Sequence, residues 1–367
     1  MQREYNLTRN YNMLFGAVCC LILIGFIFIY SSSSVYALEY AHDAAYFIKK
    51  QVVGLGLGVL GACVFALIPV RLIYYLSSLF FLGSLSLTFF TLIPSLAYRI
   101  HGSSRWLNLG GFIFQPSELL KWSLIIFVAF LLSRKEDFIK KPLKRYLPVL
   151  CVFGIAALVL LKQPDFGLTV TLGATVVCLL FIAYPDWNYV VWLSLSAVPL
   201  IGLLIYFEPY RLRRILTFLD PWRDPQGAGF QVIQSLIAIG SGGLFGIGVS
   251  CSRQKFFYLP MQHTDFIFSI IAEETGFVGA FIVICLYSFV LFKGLQLSWH
   301  LSSSFGRYIM QGFVLLTTIQ AIINIAVAVG LFPTKGIGLP FVSYGNSALL
   351  CSVAMLGLLW RIVKESS

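Results

Sequence analysis

Three carboxylates stand where apolar stretches of this chain begin. Asp265 follows His263 by two residues and precedes the apolar run from Phe266, Asp165 follows Pro164 ahead of another, and Glu118 lies three residues before Lys121 in a third. A carboxylate at a helix N-terminus is held as an anion by the unpaired N–H groups and the helix dipole. Asp265 therefore has two readings: a helix cap, or a general base that takes a proton from a hydroxyl, with His263 beside it. Asp165 has the position of an N-cap. Glu118 and Lys121 share a helix face and can pair. Ionisable residues at membrane depth are expensive, so function and ordered packing are both open for that pair. Gln320 and Asn324, four apart, are expected to make interhelical hydrogen bonds.

The elements that must position these groups are apolar. The 367 residues are 59% hydrophobic and only 11% charged, with a mean hydropathy of +0.87, whereas a soluble domain is roughly one-quarter charged. A crossing helix needs about 20 apolar residues. Ten such spans are expected, near 13–33, 52–68, 72–93, 119–133, 147–161, 168–184, 190–207, 266–292, 308–331 and 347–362. The first exceeds a signal-peptide core of roughly 7–15 apolar residues and is read as retained. The expectation is an all-α polytopic protein, one membrane domain over 1–367, with a large extracytoplasmic loop over 208–265 between the seventh and eighth spans.

Ten spans put both termini on one side. Arg134 to Arg145 carries six Lys or Arg, which marks a cytoplasmic loop and makes both termini cytoplasmic. Arg211, Arg213 and Arg214 then fall on the outer side, against the charge rule, and need their own explanation. The outer side also collects Arg105, Gln163 to Gly167 and the stretch Lys335 to Ser343, whereas the inner loops hold little besides charge and turns. The formal charge of +11 is scattered between apolar spans, which favours an anionic membrane or lipid substrate over nucleic acid. The four histidines lack metal-ligand spacing. The Gly-rich stretch Ser241 to Gly248 has no preceding strand as a phosphate loop would require, and is read as a re-entrant or interfacial hairpin. Seven of the eight cysteines fall in apolar runs, so cysteine usage does not decide the compartment.

Taken together, Gly102-Ser-Ser-Arg105-Trp-Leu107, Gln115-Pro-Ser-Glu118 with Lys121, Pro164-Asp165-Phe-Gly167, Ser241 to Gly246, His263-Thr-Asp265-Phe266 with Glu273-Glu274, and Pro333-Thr-Lys335-Gly336 through Ser343-Tyr-Gly345 resemble the SEDS family, which includes the FtsW, RodA and SpoVE proteins. The resemblance runs along nearly the whole chain in order. Gly248 to Lys255 is closer to the FtsW-type pattern. Met261 stands where an acidic residue is usual, and Asn346 replaces a common glycine.

The resemblance implies a ten-helix peptidoglycan glycosyltransferase of the bacterial cytoplasmic membrane, at the division site, that polymerises lipid II at the outer face. Its expected partners are a class B penicillin-binding protein transpeptidase, other divisome membrane proteins, and lipid II with undecaprenyl-pyrophosphate-linked glycan. Asp265 matches the catalytic aspartate, and Glu118, Lys121 and Asp165 match residues around the same cavity. Arg105, Lys121, Arg211, Arg213, Arg214 and Lys335 become candidates to hold the departing pyrophosphate, a role a divalent cation (Mg or Mn) could share. His263, Lys255 and Ser343 lie in the matching motifs. Two other readings use the same residues differently: a lipid II flippase, and a division scaffold without catalysis.

Overall fold

A computed structural model describes residues 2–95, 97–100, 103–110, 112–134, 142–227, 229–254 and 262–366. Its helices are α1 (Gln2–Ala41), α2 (Tyr46–Leu67), α3 (Val70–Phe90), α4 (Pro116–Ser133), α5 (Pro142–Lys162), α6 (Phe166–Ala183), α7 (Trp187–Tyr206), α8 (Pro209–Leu219), α9 (Phe230–Gly242), α10 (Ile267–Trp299), α11 (Ser304–Ala328) and α12 (Asn346–Ser366). Three short strands, β1 (Ala97–Ile100), β2 (Ser103–Leu109) and β3 (Phe112–Phe114), form an antiparallel sheet between α3 and α4.

Eight helices, α1 to α4, α6 and α10 to α12, are long and apolar enough to cross a membrane. The remaining two expected spans fall on α5 and α7, which are helical but outside those eight. One expectation needs correction. The chain is not all-α, since the stretch before α4 forms a small sheet whose strands are too short to stand out in sequence beside long helical runs. Residues 208–265, expected as a large loop between the seventh and eighth spans, carry α8, a 3₁₀ turn at Pro221–Arg223 and α9. The basic segment of the expected cytoplasmic loop, Lys135 to Lys141, lies outside the described residues, as do Lys255 and Met261.

Proline starts α4 and α8, where a missing N–H costs nothing, and side-chain caps from Asp165, Asp186 and Ser303 start α6, α7 and α11. Without water to drive helices together, packing in a membrane relies on close approach of small residues. A Cβ on Gly357 of α12 would lie 1.9 Å from the Ala62 carbonyl of α2, and one on Gly58 would lie 3.0 Å from Val353. Among the spans, α4, α11 and α12 are the most enclosed, and the ring of Trp122 on Phe313, centroids 5.2 Å apart, joins α4 to α11. The Tyr11 hydroxyl donates to Leu356 O at 2.8 Å, so the chain's two ends share one end of the bundle.

One helix is broken. Gly276 has φ +68° inside α10, a region natural to glycine, and the strand-less Gly-rich turn 243–248 fills the gap. Ile247 and Gly248 N–H donate to the carbonyls of Glu273 and Glu274, both at 3.1 Å, while Phe277 and Val278 N–H donate to Gly243 and Leu244 O at 2.9 and 3.2 Å. Backbone groups freed by a break at membrane depth must find partners, and the inserted turn supplies them. The Glu273 and Glu274 side chains complete the join. Glu274 accepts from Ser31 Oγ (2.6 Å) and Ser250 N (2.9 Å), and Glu273 from Arg253 N (3.0 Å) and Ser252 Oγ.

Candidate functional site

Asp265 sits in the turn just before α10 and does not cap it. The capping position is Phe266, with no side-chain cap, and among the described residues the Asp265 carboxyl has no hydrogen-bond partner. Its backbone is held instead. Asn324 Nδ2 of α11 donates to both Asp265 O (2.8 Å) and Ile337 O (2.7 Å), pinning the turn to the 333–345 segment. Ser343 Oγ donates to Thr264 O (2.6 Å) and accepts from Leu339 N (2.7 Å), so this residue laces the same two segments rather than facing the site. A Cβ on Gly336 would lie 3.6 Å from Asp265 Oδ2, which places residue 336 directly over the carboxylate.

Glu118 and Lys121 form the expected ion pair at 2.6 Å, and the pair is buried. Lys121 Nζ also donates to Gln320 Oε1 at 3.4 Å, and Gln320 Nε2 to Gly338 O at 2.9 Å. The expected interhelical bonding of Gln320 and Asn324 is therefore only partly realised, since both amides mainly hold the carbonyls of the two loops. The ion pair of α4 reaches the 335–338 segment through Gln320.

Asp165 holds both roles open to it. It caps α6 through Leu168 N at 3.2 Å and pairs with Arg105 Nη1 at 3.6 Å. Arg105, on β2, donates further to Gln163 O (3.1 Å) and Pro164 O (2.6 Å) and thereby clasps the turn. Phe166 carries two cations: Arg211 at 5.2 Å and Lys335 at 5.3 Å from its centroid. Arg214 Nη1 donates to Thr334 O at 2.7 Å. Among the described residues, none of Arg211, Arg213, Arg214 and Lys335 is ion-paired.

Burial decides the protonation of this cluster. It pushes the Asp265 carboxyl up to about 7; Arg214 and Arg105 pull the other way, and Asp165 adds to the rise. The carboxyl surface is only half-buried, but the atoms packed around it leave little room for hydration. The Asp165 carboxyl is also raised by burial, with Arg105 opposing. Lys335, half-buried against Phe166 and Phe332 and without a carboxylate partner, is pulled down by burial to about 8.

His263 departs from expectation. Its ring is enclosed by Phe47 (4.5 Å), Tyr344 (5.7 Å) and Tyr36 (5.8 Å), and burial pulls it down to about 4, so it is neutral packing rather than a proton relay for Asp265. Arg213 is not among the cations that act on the carboxyl and lines a cavity of about 310 Å³ with Arg214, Gln231 and Thr334. Among the described residues no group of three or more His, Cys, Asp or Glu side chains could by itself hold a metal ion. Sequence reasoning missed Phe166 as a cation platform and Gly336 as the residue over Asp265. Both lie in motifs singled out for their neighbours.

The arrangement is one basic group, Asp265, among cations of which Arg105 is paired with Asp165 while Arg211, Arg214 and Lys335 have no carboxylate partner among the described residues, reached from β2, α6, α8, α11, the turn before α10 and the segment before α12. It can accept a proton while stabilising a nearby polyanion. The FtsW/RodA/SpoVE family model, described as "Cell cycle protein", matches residues 11–367. A protein of Trichlorobacter lovleyi named "Probable peptidoglycan glycosyltransferase FtsW" is 39% identical over 99% of this chain and 95% of its own length. "Stage V sporulation protein E" of Bacillus subtilis is 37% identical, covering 94% of each. Among solved structures, a chain from "Structural coordination of polymerization and crosslinking by a peptidoglycan synthase complex" superposes with a TM-score of 0.79 at 30% identity over 96% of this chain and 97% of that one. The rod shape determining protein RodA of Thermus thermophilus gives 0.71 at 27% identity, covering 96% of each.

Proposed function

Since the chain belongs to the FtsW/RodA/SpoVE family of cell cycle proteins, we propose that it is a peptidoglycan glycosyltransferase that polymerises lipid II at the outer face of the bacterial cytoplasmic membrane. The division site is the place this reading gives it, beside a class B penicillin-binding protein transpeptidase and other divisome membrane proteins. α5 and α7 complete ten spans, with both termini cytoplasmic. The observation that carries the reading is Asp265, a carboxyl poised near neutrality within the field of Arg214 and Arg105, with Lys335 next to the residue that overlies it.

In the reaction, the 4-hydroxyl oxygen of one lipid-linked disaccharide bonds to the anomeric carbon of another with inversion. The hydroxyl proton passes to Asp265, and the bond from that carbon to the pyrophosphate breaks with its electron pair going to the leaving group. Arg105, Arg214 and Lys335 stabilise the charge that develops there, as preorganised cations in a site poor in water do. Glu118, Lys121, Gln320 and Asn324 hold the two loops so that base and cations keep their spacing.

The purified chain with its partner, in detergent, should convert lipid II into glycan polymer. Translocation has no meaning there, so absence of polymer would leave the flippase or scaffold reading in its place. The pH dependence of kcat/KM follows from the free protein. Asp265 must be unprotonated, which gives a rise through about pH 7, and Lys335 must be protonated, which gives a fall through about pH 8. The profile should be a narrow bell. Lys335→Arg should keep the lower limb and remove the upper one, and an upper limb unchanged by that substitution would take Lys335 out of the role.

A further inference from the structure

The three arginines of α8 do not serve one site. Arg211 and Arg214 turn toward Phe166, Thr334 and Asp265. Arg213 lines the cavity of about 310 Å³ between α8 and α9, together with Thr217, Gln226, Gln231, Arg214 and Thr334. That volume is at the lower end of small-ligand pockets. Asp224 lies close to Gly227 at the edge, but no carboxylate lines the cavity. Among the described residues, Arg213, Thr217, Gln226 and Gln231 have no hydrogen-bond or ion-pair partner, so a guanidinium, two amides and a hydroxyl face open space.

The same helix leaves Leu212, Leu216 and Leu219 exposed at 40%, 54% and 71%. An amphipathic helix with apolar residues on one face and arginines on another lies at the headgroup level of a membrane. A cavity that is cationic and rich in hydrogen-bond donors at that level fits a phosphorylated saccharide whose lipid tail stays in the bilayer.

Resting on the glycosyltransferase reading, we infer that this cavity is a second substrate subsite, which holds the intact pyrophosphate and adjoining sugar of the acceptor lipid. The departing pyrophosphate has to lie at the reacting carbon, beside Asp265, Arg105 and Lys335. The acceptor presents its hydroxyl to Asp265 from the far end of its disaccharide, so its own pyrophosphate lies a disaccharide away. Arg214, which lines the cavity and acts on Asp265, stands between the two. Two lipid pyrophosphates are thus bound at once, and only one is cleaved.

The test is binding of a 4-deoxy lipid-linked disaccharide pyrophosphate, which lacks the attacking hydroxyl, to the full chain with its partner in nanodiscs. Wild-type protein should bind two equivalents. Arg213→Ala and, separately, Gln231→Ala should weaken one of the two about tenfold and leave the other within twofold, as expected for loss of one charge-assisted or donor contact. Arg213→Lys should recover part of the loss, keeping charge without the fork. In turnover, the acceptor KM should rise about tenfold with kcat little changed. One equivalent bound by the wild type, or equal weakening of both, would overturn the subsite. Two equivalents bound, one of them sensitive to Arg213, with no polymer formed would instead overturn the activity and leave the subsite standing.

Discussion

Asp265→Asn is expected to lower polymerisation by about 10³-fold while the protein remains folded, the scale that loss of a positioned general base produces. The substitution keeps the shape of the side chain, and among the described residues the carboxyl makes no hydrogen bond whose loss would loosen the turn. Asn324 and Ser343 hold that turn through its backbone carbonyls, which the substitution leaves in place. Stability should move in the opposite direction from activity. A carboxyl raised to about 7 in the folded state binds its proton more tightly folded than unfolded. The stability this contributes is complete below the ordinary carboxylate range and is lost as pH rises to about 7. Above that pH the wild type carries a poorly solvated charge that the asparagine avoids. Thermal unfolding in detergent should therefore show Asp265→Asn at least as stable as wild type at pH 8, with the difference shrinking toward pH 4. Polymerisation at the wild-type rate, or inactivity accompanied by a lower midpoint at pH 8, would remove Asp265 as the base.

Gly276→Ala should cost folding rather than chemistry. A Cβ at this position would lie 2.4 Å from Gly246 N and 2.5 Å from Leu244 O, and φ +68° is strained for any side chain. The backbone conformation, φ +68° with ψ −164°, is one that essentially only glycine adopts and alone costs about 1–3 kcal/mol for an L-residue. Displacing the turn 243–248 costs more. Its four hydrogen bonds to α10 satisfy the groups freed by the helix break, and each such group left unpaired at membrane depth costs several kcal/mol. A total loss of about 4 kcal/mol or more is expected from these two effects, read as loss of monodisperse protein on size exclusion. Gly16→Ala, on α1 with nothing near its Cβ, is the matched control and should behave as wild type. Equal behaviour of the two variants would mean that the inserted turn does not hold the break.

The parts of the site that were legible without a structure are those set by spacing along one element. Glu118 and Lys121 pair because residues three apart share a helix face, and Asp165 caps because a carboxylate before an apolar run can reach the first N–H groups. Apolar length placed a helix at every expected span. The errors share a cause. His263 and Asp265 lie in a turn rather than a helix, so two residues of separation do not fix their mutual direction. One side chain enters an aromatic cage while the other meets the cations. The sheet between α3 and α4 was hidden because its strands are three to seven residues long.

Amino-acid order by itself determined that the chain lives in a membrane, which residues could act as base and cations, and, through the joint pattern of motifs, the family. Tertiary structure alone decided how the cations are shared out. Arg211, Arg213 and Arg214 are near neighbours in sequence and on one short helix, but successive helical residues point about 100° apart. Only the packing of α8 against Phe166, Thr334 and α9 sets Arg211 over the Phe166 ring, Arg214 within reach of Asp265 and Arg213 into the cavity between α8 and α9. The Gly-rich turn is the same case: its composition marks a turn, and only the break at Gly276 says what the turn is for.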